Sequence, residues 1–155
     1  MKSKLLIVIL LVGTLLSGCS KTVLKADADP NADIASLQTF YVQKFEPDER
    51  GLEKIIADTL VKLGYQATSG TASTPPTPVD AVVTYTDRWM WDITMYMLEM
   101  NIQFEQPETA YVLATGNSYR TSLVRKSPEY MIEEVLREML GKGPMPKADA
   151  SKEEK

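Results

Sequence analysis

Alternation of apolar and polar positions is cleanest in residues 96–105. Tyr96, Leu98, Met100, Ile102 and Phe104 share one parity, and Met97, Glu99, Asn101, Gln103 and Glu105 share the other. A period of two is the pattern of a strand with one buried face and one wet face. The run before it, from Asp80, carries Ala81, Val83, Tyr85, Trp89 and Trp91 on one parity, interrupted by Asp87, and predicts a second strand that bends near Ile93 and Thr94. Beyond a turn at residues 106–109, residues 111–122 predict a third strand. Its Ala114, Gly116 and Ser118 put small side chains on one face, where a helix can approach closely. The links are too short for parallel crossovers, so the three strands are expected as an antiparallel meander.

The apolar period changes to that of a helix twice. Leu52, Ile55, Ile56, Leu60 and Leu63 form a single stripe, with Asp48 as a candidate cap and Gly64 placed to end the helix in a left-handed conformation. Near the C-terminus, Ser127, Pro128 and Glu129 form a helix start, and Met131, Ile132, Val135, Leu136, Met139 and Leu140 make a wide apolar face. Residues 37–45, rich in aromatic and β-branched side chains, predict a strand before the first helix, and residues 65–68 a short strand after it. Residues 69–78 are a Ser/Thr/Pro/Gly loop. The order β-α-(β)-β-β-β-α predicts an α+β domain over residues 36–140: a mostly antiparallel sheet of four to five strands, with two helices packed on one face.

One apolar run fits neither period. Residues 5–16 are uncharged and almost wholly aliphatic, follow Lys2 and Lys4, and lead to Leu16, Ser17, Gly18 and Cys19. About a dozen residues are too few to span a hydrocarbon core as a helix, which needs roughly 20, so the run reads as the apolar region of a signal peptide over residues 1–18. The Leu-Ser-Gly-Cys ending resembles the lipobox of bacterial lipoproteins. That resemblance implies a diacylglyceryl group on the Cys19 sulfur, cleavage before Cys19, and a further acyl chain on the new N-terminus. Ser20, after the cysteine, is not the aspartate that resembles an inner-membrane retention signal. The expected location is therefore the outer membrane, with the domain facing the periplasm and the inner membrane or cell surface as alternatives. Residues 19–35, polar and Ala/Asp-rich, are expected as the lipidated cysteine and a flexible tether, and residues 141–155 as a disordered tail.

Composition narrows the chemistry. The chain has 17 basic and 21 acidic residues, and loss of Lys2 and Lys4 with the signal leaves a net charge of −6. This gives no electrostatic footprint for nucleic acid. There is no histidine, and the single cysteine is assigned to the lipid. The usual Ser-His and Cys-His pairs and the commonest zinc ligand are thereby removed, and any catalysis would rest on carboxylates, lysine, tyrosine or serine. No phosphate-binding loop or metal-spaced cluster is present, so no cofactor, metal or catalytic residue is assigned.

The sharpest local feature is Asp87, Arg88, Trp89, Met90, Trp91 and Asp92. Two tryptophans two apart on a strand lie on one face, and with Asp87 they suggest a platform for a sugar ring or peptide. The competing reading buries both rings over the end of the sheet. A second cluster, Arg120, Arg125 and Lys126, offers an anion site or, alternatively, a solvated strand end paired with nearby carboxylates.

Tyr41-Val42, Gly64-Tyr65, residues 79–83, residues 87–92 and Tyr119-Arg120-Thr121-Ser122, in this order, resemble uncharacterised lipoproteins of Gram-negative bacteria. The set is similar in layout to small α+β domains of envelope-assembly lipoproteins, such as those related to the curli secretion channel or the N-terminal domain of the Tol translocation protein. The resemblance covers residues 36–140 and carries over no catalytic residue. It implies a non-catalytic lipoprotein held in the membrane by its lipid, which docks an envelope protein or its own copies. The alternative is a carbohydrate- or peptidoglycan-directed binding module, or a weak hydrolase, using Asp87, Trp89, Trp91 and Asp92.

Overall fold

The computed structural model describes residues 20–146. The signal run, Cys19 and the tail from residue 147 lie outside the described residues. The elements are β1 (Thr22–Ala28), β2 (Thr39–Gln43), α1 (Leu52–Lys62), β3 (Gln66–Gly70), β4 (Ala81–Asp92), β5 (Thr94–Glu105), β6 (Val112–Arg120) and α2 (Pro128–Met139), with single 3-10 turns at Ile34–Ser36 and Ser122–Val124.

The architecture is α+β, with two α-helices on a mixed sheet of six strands in the order β1-β6-β5-β4-β2-β3. The strand count exceeds the four to five expected, and the sheet is less antiparallel than the pattern suggested. The β4-β5-β6 meander is antiparallel, but β2 runs parallel to both of its neighbours, β3 and β4. The chain thus goes from β2 through α1 to β3, then returns across β2 to reach β4. That return is the residue 71–80 loop. It passes the face of β2 opposite the helices, where the Tyr41 hydroxyl donates to the Ala72 carbonyl at 3.1 Å. Phe40, Tyr41 and Val42 are all buried because both faces of β2 are covered. The Asp80 carboxylate fastens the return. Its Oδ2 accepts from the Gln38 N–H (2.9 Å), the Thr39 N–H (2.8 Å) and the Thr39 hydroxyl (2.8 Å), joining the start of β2 to the start of β4.

The expected tether requires correction. Residues 22–28 form β1, paired antiparallel with β6 from Thr22↔Arg120 to Ala28↔Ala114. An edge strand has one sheet neighbour and little apolar burial, so it leaves almost no hydrophobic signature. Leu24 is itself 38% exposed. Of the expected tail, residues 141–146 carry no helix or strand.

The helices pack together on the sheet and share its core. Leu52, Ile56 and Leu60 of α1 and Met131, Ile132, Val135 and Leu136 of α2 join Phe40, Val42, Val83, Ile102 and Phe104 in one buried cluster. Each fully buried aliphatic side chain contributes roughly 1.5–3 kcal/mol gross. The Phe40 ring contacts Phe104 at 5.1 Å and Tyr65 edge-on at 5.4 Å. Ser127 caps α2 by accepting from the Tyr130 N–H, with Pro128 in the first turn. The cap of α1 differs from expectation: Gly51, left-handed at φ 73°, precedes the helix, and Asp48 reaches in from further back. The small-residue stripe of β6 does admit a helix. A Cβ on Gly116 would lie 2.5 Å from Val135 Cγ1 and 2.6 Å from Met139 Sδ.

Candidate functional site

The β4–β5 ribbon carries the predicted patch, and a bulge controls which residues face where. Arg88 pairs with Glu99 but Trp89 pairs with Met97, leaving Leu98 as an extra residue in β5. One extra residue reverses the parity of everything beyond it. Met97 therefore joins the helix-side core with Met100, Ile102 and Phe104, whereas Tyr96 and Leu98, expected in that core, lie outside it.

Asp87, Arg88, Trp89, Trp91 and Asp92, the candidate binding patch, do not form one surface. Trp89 is half-buried against the core; its indole N–H donates to the Asp87 carboxylate, and the Arg50 guanidinium covers its ring at 4.1 Å. Trp91, two residues on, is 70% exposed. Arg88 has the opposite parity and pairs with Glu99 at 2.8 Å. The Asp92 carboxylate accepts from the Ser122 hydroxyl. Both aspartates are thus engaged locally, and only one tryptophan ring is free to stack on a ligand.

The basic cluster is also dispersed. Arg120, weighed as part of an anion site or as a solvated residue paired with a nearby carboxylate, is paired but buried, and meets Glu134 at two points: Nε to Oε1 at 3.1 Å and a terminal nitrogen to Oε2 at 2.7 Å. Ser118 donates to the same carboxylate at 2.6 Å. Arg125 donates to the Thr94 hydroxyl at 2.8 Å and lies over the Tyr96 ring, and Lys126 lies over Tyr130 at 5.1 Å.

Around Asp48 is a buried group that sequence reasoning missed. Its carboxylate accepts from the Arg50 N–H (2.7 Å), the Leu52 N–H (2.6 Å) and the Tyr85 hydroxyl (2.7 Å). Burial works to raise the Asp48 carboxyl, but these hydrogen bonds, Tyr85's first, outweigh it and hold it below the ordinary carboxylate range. Tyr85 is pushed well above a free phenol by burial, and then by its bond to Asp48. Glu53, beside them, is buried with Oε2 lacking a hydrogen-bond partner. These groups tie the start of α1 to β4. No spacing rule connects residue 48 with residue 85, so only the fold reveals them.

Away from the helices, β1, β6, β5 and β4 present an uncovered polar face. The Asn117 side-chain amide donates to Glu99 (2.9 Å) and Asn101 (2.7 Å), and Thr84 donates to Glu105 (2.6 Å). A shallow recess of about 320 Å³ runs between Lys25, Asp27, Gln103 and Thr115. Among the described residues, no group of three or more Asp, Glu, His or Cys side chains is placed to hold a metal ion.

The chain matches no protein-family model and no curated protein sequence. Solved structures do share its fold. A PelC dodecamer from Paraburkholderia phytofirmans, solved as a point variant, aligns at TM-score 0.57 with 14% identity, covering 77% of this chain and 98% of the PelC chain. A second PelC dodecamer structure from the same organism aligns at TM-score 0.55, with the same identity and coverage. A PDZ domain protein from Parabacteroides distasonis aligns at TM-score 0.46 and 12% identity, covering 88% of this chain and 39% of that one. At 14% identity the likeness to the PelC chains is one of fold.

Proposed function

We propose that this protein is a lipid-anchored scaffolding component of the bacterial envelope, held in the outer membrane through Cys19 with its domain in the periplasm, and that it docks copies of itself across the uncovered face of the sheet. The observation that carries this reading is the form of that face. Four adjacent strands form it, and the side chains of β4, β5 and β6 are already tied to one another across it, with only open recesses between them. Cross-bonded side chains lose little rotamer freedom on docking, which suits a protein interface. The two PelC structures with this fold are dodecamers, which supports assembly of like copies. The saccharide reading retains the exposed Trp91 ring in its favour, but Trp89 is capped by Arg50 and both flanking aspartates are engaged.

Native mass spectrometry of the acylated mature protein in mild detergent tests the assembly. The expected species are oligomers that Thr115→Arg, at the centre of the open face, reduces to monomers. A wild-type protein that stays monomeric at all concentrations would remove the proposal. Crosslinking in whole envelopes that joined this face to a different protein would reassign it to a heterologous partner.

A further inference from the structure

The far end of the β4–β5 ribbon stands apart from the rest of the sheet. β5 pairs with β6 only from Glu99↔Tyr119 onward, and β4 pairs with β2 only at residues 81–83. Beyond those registers residues 89–98 of the two strands pair only with each other, and because Tyr96, Met97 and Leu98 are still buried, the part that projects is the tip at residues 90–95. A projecting polar hairpin would be unremarkable, but this one is apolar. Met90 is 49% exposed, Trp91 70%, Ile93 83% and Met95 53%, and Leu123, on the segment that runs beside the ribbon, is 71% exposed. That segment is held there by the Ser122–Asp92 hydrogen bond and by Arg125 donating to Thr94.

Ile93 adds an independent observation. It is the single residue between the paired Asp92 and Thr94, and its φ is 60°. A β-branched residue at that angle is strained, where glycine or asparagine would be relaxed. An apolar side chain kept at a strained, water-facing tip points to a use for that side chain.

The chain's path says what the tip faces. Lys21 is fixed to Thr121, its N–H donating to the hydroxyl at 2.9 Å and its carbonyl accepting from the Thr121 N–H at 3.1 Å. By the β5–β6 register, Thr121 lies level with Met97, so the tip extends about four residues, roughly 14 Å, past Lys21 in the same direction. Only Ser20 lies between Lys21 and Cys19, two Cα–Cα steps with a reach of at most about 7 Å. With Cys19 held at the headgroup level by its acyl chains and the strands upright on the bilayer, the hairpin tip would reach the lipid several ångströms deeper than Cys19 itself.

We infer that the β4–β5 hairpin tip is a membrane-inserting wedge, with Trp91, Ile93, Met95 and Leu123 embedded at the boundary between headgroups and acyl chains of the bilayer that holds the lipid anchor. This inference rests on the lipidation of Cys19. The depth available matches the 5–10 Å to which apolar faces enter an interface, and tryptophan favours that zone. Arg125, exposed beside Thr94 on the neighbouring segment, would meet a lipid phosphate at the edge of the wedge, whereas Lys126 lies back over Tyr130. Asp92 is turned to Ser122 at the flank, and Asp87 is turned back to Trp89. The charged groups thus leave the apolar tip clear. A tip seated in lipid also fixes the orientation of the domain, leaving the polar sheet face lateral and free to meet a neighbouring copy.

The test uses the mature acylated protein in vesicles of phosphatidylethanolamine and phosphatidylglycerol, with acyl chains brominated near the headgroup end. Trp89→Phe leaves Trp91 as the only tryptophan, excited selectively above the tyrosine absorption. The expected result is a blue-shifted emission that brominated lipid quenches by about twofold or more. Ile93→Asp in the same background should return the emission to the red and abolish the quenching. A red, lipid-insensitive Trp91 in acylated protein would overturn the wedge while leaving the anchor intact. A blue-shifted Trp91 that lipid does not quench would also overturn it, because the tip would then be covered by protein. Mass spectrometry of the N-terminal peptide from the same sample separates the two claims. An unmodified Cys19 removes the anchor, and the wedge falls with it.

Discussion

The two halves of the β4–β5 ribbon are built from the same kinds of residue and have opposite fates. Near its base, Val83, Tyr85, Ile102 and Phe104 are almost wholly buried; near its tip, Trp91, Ile93 and Met95 are mostly in water. Hydrophobicity does not separate the halves. Cover does: the base lies under α1 and α2, whereas the tip extends past every neighbouring strand. Apolar side chains at the base hold the fold together, and those at the tip add little to it and remain available for contact outside the domain.

The sharpest way to break this comparison is to truncate one large ring at each end. Phe104→Ala should cost about 3–5 kcal/mol, through lost transfer energy and the cavity left beside Phe40. Trp91→Ala should stay within about 0.5 kcal/mol. Denaturant unfolding of the mature chain without its lipid measures both. Equal losses would mean that the tip packs on the domain, and the contrast would disappear.

Gly116 tests the base from its neighbour strand, because it lies opposite Ile102 and directly under α2. Gly116→Ala forces Val135 and Met139 to shift and should cost roughly 1–3 kcal/mol. An unchanged thermal midpoint would show that α2 sits further from the sheet than described.

A smaller effect comes from acid. Asp48 is held below its ordinary range at the base of the ribbon, so its contribution to stability is complete above the unfolded carboxyl value of about 3.9 and is lost as pH falls through the folded value. Asp80, held low chiefly by the Gln38 N–H, and Glu133, where ion pairs with Lys62 and Arg137 outweigh burial, act in the same direction. Stability should therefore decline below about pH 4, and Asp48→Asn should lower stability at neutral pH, where the Asp48 contribution is complete, and flatten the decline in acid. An unaltered acid limb would show that the Asp48–Tyr85 bond is not held in solution.

The smallest change has the opposite sign. Ile93→Gly removes the strain of a β-branched residue at φ 60° and should raise stability by up to about 1 kcal/mol, reduced by glycine's greater freedom in the unfolded chain. The same substitution should weaken lipid contact at the tip. A stability loss instead would make Ile93 part of the packed domain.

Local periodicity alone determined both helices, the antiparallel meander, the Ser127 cap, the left-handed Gly64 and the small-residue stripe beneath α2. Each is set by residues within one or two turns or on one strand, so the pattern is written where the structure forms. It also placed an apolar run and a lipobox-like ending at Cys19, outside the described residues. Tertiary structure decided what depends on distant partners. β1 escaped notice because an edge strand is specified by the backbone groups of β6 more than by its own side chains. The parallel seating of β2 rests on Asp80 reaching Gln38 and Thr39, some forty residues away in the chain. One extra residue at Leu98 exchanged Tyr96 and Leu98 for Met97 in the core, because side chains on a strand alternate strictly and a single insertion reverses them all. Trp89 and Trp91 have the same local pattern and the same parity, but one lies under Arg50 and the other lies beyond the last covered residue. How far a strand runs past its neighbours is a property of the assembled sheet, and no window of sequence contains it.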